Sequence, residues 1–129
     1  MFRPTVLAVA AIAAIAPVAS HAATRVPFER AAFEAAQKAG KPVLVEVSAV
    51  WCPVCASQSR SIEAAMKDPR NRALTVFRLD FDKQKAEWQR FGVKRQGTLI
   101  AFKGQRESGR LEFVTDKAAI DGLIGKIAA

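Results

Sequence analysis

The run VLVEVS at residues 43–48 is apolar and β-branched apart from one acid, and three residues beyond it the chain places both of its cysteines in WCPVC, residues 51–55. A strand of that composition is buried on both faces, as in the parallel part of a sheet covered by helices. The stretch that follows, VCASQSRSIEAAMK, has helix-forming composition and is stopped by Asp68 and Pro69, because a residue before proline is pushed out of helical geometry. The two thiols therefore stand where a buried strand turns into a helix.

The rest of the chain repeats this alternation. FERAAFEAAQKAG predicts a helix over 28–39 with Phe28, Ala31, Ala32, Ala35 and Ala39 at helical spacing and a left-handed cap at Gly40. LTVFRLDF predicts a second central strand, KQKAEWQRFG a polar helix ending at Gly92, and TLIAFK a further strand. GQRESG reads as a turn and RLEFV as the returning strand of a hairpin. Asp116 is placed to cap a last helix whose apolar face is Ala119, Ile120, Leu123, Ile124 and Ile127. The order is helix, strand, helix, strand, helix, strand, strand, helix. Strands joined through helices are expected to run parallel, and the hairpin makes the sheet mixed. The expected class is α/β, a central mixed sheet flanked by helices, in one domain.

The first 22 residues are read separately. Arg3, an apolar stretch from Val6 to Ile15, Pro17 and the small-residue exit Ser20, His21, Ala22 follow the order of a secretory signal peptide cleaved after Ala22, leaving a domain at 23–129. The apolar stretch is shorter than the roughly 20 residues that span a bilayer; an uncleaved anchor is the alternative. Cleavage removes His21, the only histidine. The mature domain then has no imidazole base or ligand. The net charge is +8, or about +7 once Arg3 is removed, and the basic residues are scattered without a dense block or aromatic interleaving. Such a surface is solvated, and no nucleic-acid partner is expected.

Cys52 and Cys55 close too short a loop to act as a staple, since disulfide stabilisation grows with the logarithm of loop length. Zinc wants four ligands, and the mature chain has only these two soft ones, so no metal or other cofactor is expected. Copper shared between two chains, or a binding module in which the cysteines are incidental, stays open. Electron transfer uses the spacing directly. Cys52 is expected exposed at the helix N-terminus, where free N–H groups and the helix dipole favour a thiolate, and Cys55 lies one turn further in. Cys52 becomes the nucleophile and Cys55 the resolving thiol. Pro53 suits the first helical turn because its missing N–H had no partner there.

In VLVEVSAVWCPVC, LTVFRLDFD and FGVKRQGTLIAFKG, taken in this order and spacing, the chain resembles the thioredoxin family over its whole mature length. The resemblance implies the thioredoxin fold and dithiol exchange at Cys52 and Cys55, with Trp51 covering the site. Strand alternation puts Leu44, Glu46 and Ser48 on one helix-covered face. A carboxylate there is desolvated, which suits Glu46 to shuttling a proton for Cys55. The family usually has a buried Asp at that position, and Arg78 matches a basic residue that accompanies it. One departure stands out in RQGTL. The family's cis proline before the residue matching Thr98 is here Gly97, so the Gln96–Gly97 bond is expected trans. Gln96, Gly97 and Thr98 border the client groove, and loss of the proline ring is expected to loosen it.

Pro53 and Val54 between the cysteines are apolar and uncharged, which removes one source of oxidising power and favours a reductase over an oxidase of client thiols. Resemblance to exported reductases implies disulfide-containing client proteins and a membrane thiol–disulfide transporter as electron donor in a periplasm, with the chain a monomer.

Overall fold

The computed structural model describes residue 2, residues 11–15 and residues 22–128. Most of the expected signal peptide lies outside the described residues. Among the described residues no helix is long and apolar enough to cross a membrane.

Five strands form one mixed sheet: β1 (Thr24–Pro27), β2 (Pro42–Ser48), β3 (Thr75–Asp80), β4 (Thr98–Lys103) and β5 (Arg106–Glu112), in the order β1-β3-β2-β4-β5. Four helices accompany them: α1 (Arg30–Lys38), α2 (Pro53–Met66), α3 (Lys85–Arg90) and α4 (Lys117–Gly125), and a 3-10 turn at Pro69–Asn71 follows α2. All seven residues of β2 are buried, as expected of a strand with neighbours on both edges and helices on both faces. On one face Val43, Val45, Val47, Phe77, Leu79, Ile100 and Phe102 pack with Phe33 of α1 and Trp88 of α3. On the other, Leu44, Val76, Leu99 and Ala101 meet Ile62 and Ala65 of α2 and Ile120, Leu123 and Ile124 of α4. Asp116 caps α4 by accepting the N–H of Ala118, as its sequence predicts.

Four expectations are corrected. The chain begins with a strand, β1, paired parallel to β3; TRVP is too short for alternation to reveal it. Helix α1 starts at Arg30, and its buried residue is Phe33 rather than Ala31, Ala32, Ala35 or Ala39, all of which are exposed. A large aromatic side chain captures the core face where small alanines cannot. Strand β4 is joined to β3 through a helix yet runs antiparallel to β2, which is itself parallel to β3. A six-residue helix rises only about 9 Å, too little to carry the chain back along a strand of about 20 Å. The chain therefore re-enters the sheet at the end where it left. Finally, β5 begins at Arg106, directly after a tight turn at Gly104 and Gln105. As a result the C-terminal end of β2, the N-terminus of α2 and the start of β4 all meet at one edge.

Candidate active site

Cys52 is the N-cap of α2, with extended backbone angles, and Pro53 opens the first turn. The Sγ of Cys52 accepts the backbone N–H of Cys55 at 3.2 Å, which is what a thiolate needs from a helix terminus. Both cysteines are free thiols. Cys55 is 1% exposed, as expected of the shielded thiol, but Cys52 is only 4% exposed rather than open. Ala49 forms a small buried cluster with the two cysteines, with Val54 and Phe81 packed against it. Trp51 is 56% exposed and its indole N–H donates to both carboxylate oxygens of Asp82, at 2.9 and 3.1 Å. The ring therefore stands fixed beside Cys52. Among the described residues no group of three or more His, Cys, Asp or Glu is placed to hold a metal ion.

Burial pushes the Cys55 thiol up to about 11, helped by its hydrogen bond with Cys52 and the charge there. The backbone at Ala49 and the hydroxyl of Ser48 act in the opposite direction. Ser48, which strand alternation places on the Glu46 face, is a polar side chain to which the sequence assigned no role. It accepts a long hydrogen bond from Nη2 of Arg78, 3.4 Å. Ser48 and Arg78 also line a cavity of about 520 Å³ with Val50, Asp80 and Lys83.

Glu46 is 1% exposed, on the face predicted for it, but it does not stand alone. Nη2 of Arg25 in β1 contacts both of its oxygens and also donates to Oγ of Ser59 in α2, 2.8 Å away. Arg78, its register partner in β3, is a weaker neighbour, with Nε 3.8 Å from Oε1. Sequence reading missed Arg25 because the pair is 21 residues apart and only the addition of β1 to the sheet edge joins them. Truncating one partner of a buried ion pair leaves the other uncompensated. Arg25→Met is expected to lower stability by about 3 kcal/mol in urea unfolding, and adding Glu46→Leu should recover most of it.

Gly97 is buried, with φ +78° and no cis bond among the described residues. The trans peptide is as expected, and the backbone of Gly97 is held by hydrogen bonds. Its N–H donates to the carbonyl of Val47, 2.8 Å, and its own carbonyl accepts from the N–H of Phe113, 2.9 Å, and from Nε2 of Gln58, 2.8 Å. Thr98 closes the same turn by donating its hydroxyl to the carbonyl of Arg95, 2.9 Å, and Gln96 is half-buried beside it. A β-carbon at position 97 would stand 3.1 Å from Cδ2 of Phe113 and 3.4 Å from Cγ1 of Val54. The Phe113 ring thus already crowds the place of a β-carbon at this position.

A mixed sheet between two helical layers, with a Cys-x-x-Cys pair at the N-terminus of the helix after the central strand, defines a thioredoxin-fold dithiol protein. The family model Thioredoxin matches residues 24–126. Thioredoxin of Alicyclobacillus acidocaldarius subsp. acidocaldarius is 34% identical over 95 residues, 74% of this chain and 90% of that protein. The Bifunctional thioredoxin reductase/thioredoxin of Mycobacterium leprae (strain TN) is 35% identical over 80 residues, 62% of this chain but only 17% of that protein's length. The crystal structure of Trxlp from Edwardsiella tarda EIB202 superposes with a TM-score of 0.75 at 40% identity, covering 78% of this chain and 97% of that one. The chain belongs to the thioredoxin family, and is a thiol–disulfide oxidoreductase with Cys52 and Cys55 as its Cys-x-x-Cys pair.

Proposed function

We propose that the chain is an exported, periplasmic reductase of disulfides in client proteins. The observation that carries this reading is the unequal pair: a Cys52 sulfur held by a helix N–H, and behind it a buried Cys55 whose thiol keeps its proton. The Cys52 thiolate attacks a client disulfide; a Cys52–client S–S bond forms, the client bond breaks, and one client sulfur leaves as a thiolate that takes up a proton. Cys55, once deprotonated, attacks Sγ of Cys52, forming the Cys52–Cys55 disulfide and releasing the second client thiolate. The client gains two electrons and the enzyme loses two. In this reading Ser48, whose hydroxyl lowers the pKa of the Cys55 thiol, assists its deprotonation, while Glu46 is held as the buried acid of an ion pair with Arg25.

Direction follows from the residues between the sulfurs. Pro53 and Val54 supply neither charge nor hydrogen bond to the Cys52 thiolate, so the reduced form lacks the added stabilisation that makes a strong oxidant. Export is supported by the basic, apolar and small-residue order of the first 22 residues and by a family match that starts only at residue 24. A membrane thiol–disulfide transporter returns the electrons, and the chain acts as a monomer. The test is the reduction potential of the pair, set against a thioredoxin of known potential. A value near −270 mV is expected, whereas one near −120 mV would make the protein an oxidant of client thiols.

A further inference from the structure

Phe113 lies just beyond β5 with φ +58°, a left-handed backbone state that a bulky side chain rarely holds. It is held there from both sides. Its N–H donates to the carbonyl of Gly97, and buried Gln58 spends its two amide hydrogens on the carbonyls of Gly97 and Val114, 2.8 and 3.0 Å away. This arrangement turns the ring onto Gly97 beside Val54, one of the two residues between the cysteines, and leaves it 38% exposed. The guanidinium carbon of Arg95 stacks 3.6 Å from the ring centroid. Arg95 is exposed, and among the described residues no carboxylate forms an ion pair with it; Glu112, next to Phe113, does not. A strained, exposed aromatic with an uncompensated cation on its face, touching the turn opposite the dithiol, has no need to exist for packing alone. Strain of this kind collects where a ligand is met.

We propose that Phe113 and Arg95 form the wall that selects clients: an extended segment whose cysteine is flanked by an apolar side chain, which packs on Phe113, and by a carboxylate, which pairs with Arg95. The N–H and carbonyl of Gly97 are already bonded within the protein, and Phe113 and Arg95 present their side chains beside them. The inference rests on attack by Cys52 and adds the chemistry of the client.

The test uses the full chain carrying Cys55→Ser, so that each attack by Cys52 stops at a mixed disulfide that mass spectrometry counts. Cystine peptides are offered with Leu or Gly at one flank and Glu or Lys at the other. The Leu–Glu peptide is expected to react about threefold faster than Leu–Lys, the size of one exposed ion pair, and the preference should shrink at 1 M salt. Arg95→Glu should reverse it. Phe113→Gly, which relieves the backbone strain, should remove most of an about tenfold advantage of Leu over Gly peptides, an effect consistent with apolar contact on one aromatic face. Unchanged Glu/Lys and Leu/Gly ratios in these variants, with Cys52 still reacting with dithiobis(nitrobenzoate), would overturn the wall and leave the exchange chemistry standing. Failure of the parent to react with that small reagent would overturn both.

Discussion

Cys52→Ser is expected to lower the rate of client disulfide reduction at least about a thousandfold, because a serine hydroxyl neither ionises near neutral pH nor makes the sulfur–sulfur bond on which the exchange depends. Cys55→Ser should behave differently: Cys52 still attacks, and the mixed disulfide accumulates instead of resolving. Insulin reduction followed by turbidity reads the first effect, and mass spectrometry of acid-quenched samples the second. The pH dependence of resolution then reports on Cys55. In the resting dithiol its thiol is pushed up to about 11, first by burial and then by hydrogen bonding and charge at Cys52. When Cys52 is bonded to a client, its charge is gone, while burial remains, so Cys55 becomes more acidic in the intermediate that needs its thiolate. Resolution should accelerate about tenfold per pH unit and level off below pH 11. Ser48→Ala should move this profile to higher pH, since the hydroxyl lowers the pKa of the thiol. A profile that moves in Glu46→Gln instead would return the proton to the acid that the sequence points to. The same shift has a stability counterpart. A thiol raised from 9.0 to about 11 by folding contributes fully below pH 9, and the reduced protein should lose stability as pH rises through 11.

Restoring the family's proline with Gly97→Pro is expected to unfold rather than improve the site, at a cost of roughly 3 to 5 kcal/mol. Proline holds φ near −65°, against +78° at Gly97, and it has no N–H to give the carbonyl of Val47. A β-carbon there also comes within 3.1 Å of the Phe113 ring. Gly97→Ala should cost less, about 1 to 3 kcal/mol, through the positive φ and the 3.1 Å approach to Phe113. If the two positions compete for one volume, Phe113→Gly should relieve part of the alanine's cost, with a coupling near 1 kcal/mol in a double-mutant cycle read by urea unfolding. Additive losses would show that the ring and the glycine are independent.

Much of the fold and the centre of the site are legible in the residues. VLVEVS is apolar enough to be buried on both faces, the spacing of Ile120, Leu123, Ile124 and Ile127 marks the core face of α4, and Cys52 with Cys55 after a buried strand leaves electron transfer as the use that suits so short a loop. These are local properties, written in period and spacing. The direction of β4 was not legible, because it depends on how far a six-residue helix can carry the chain. Nor were Arg25 as the main partner of Glu46, Ser48 as the hydroxyl acting on Cys55, or Phe113 over Gly97. Each is a contact between segments far apart in the chain, where no periodicity links the partners. Gly97 shows the division most plainly. Its identity announces that the proline is missing, but only the packed sheet, with Val47, Gln58 and Phe113 converging on one residue, decides that the position is pinned and crowded.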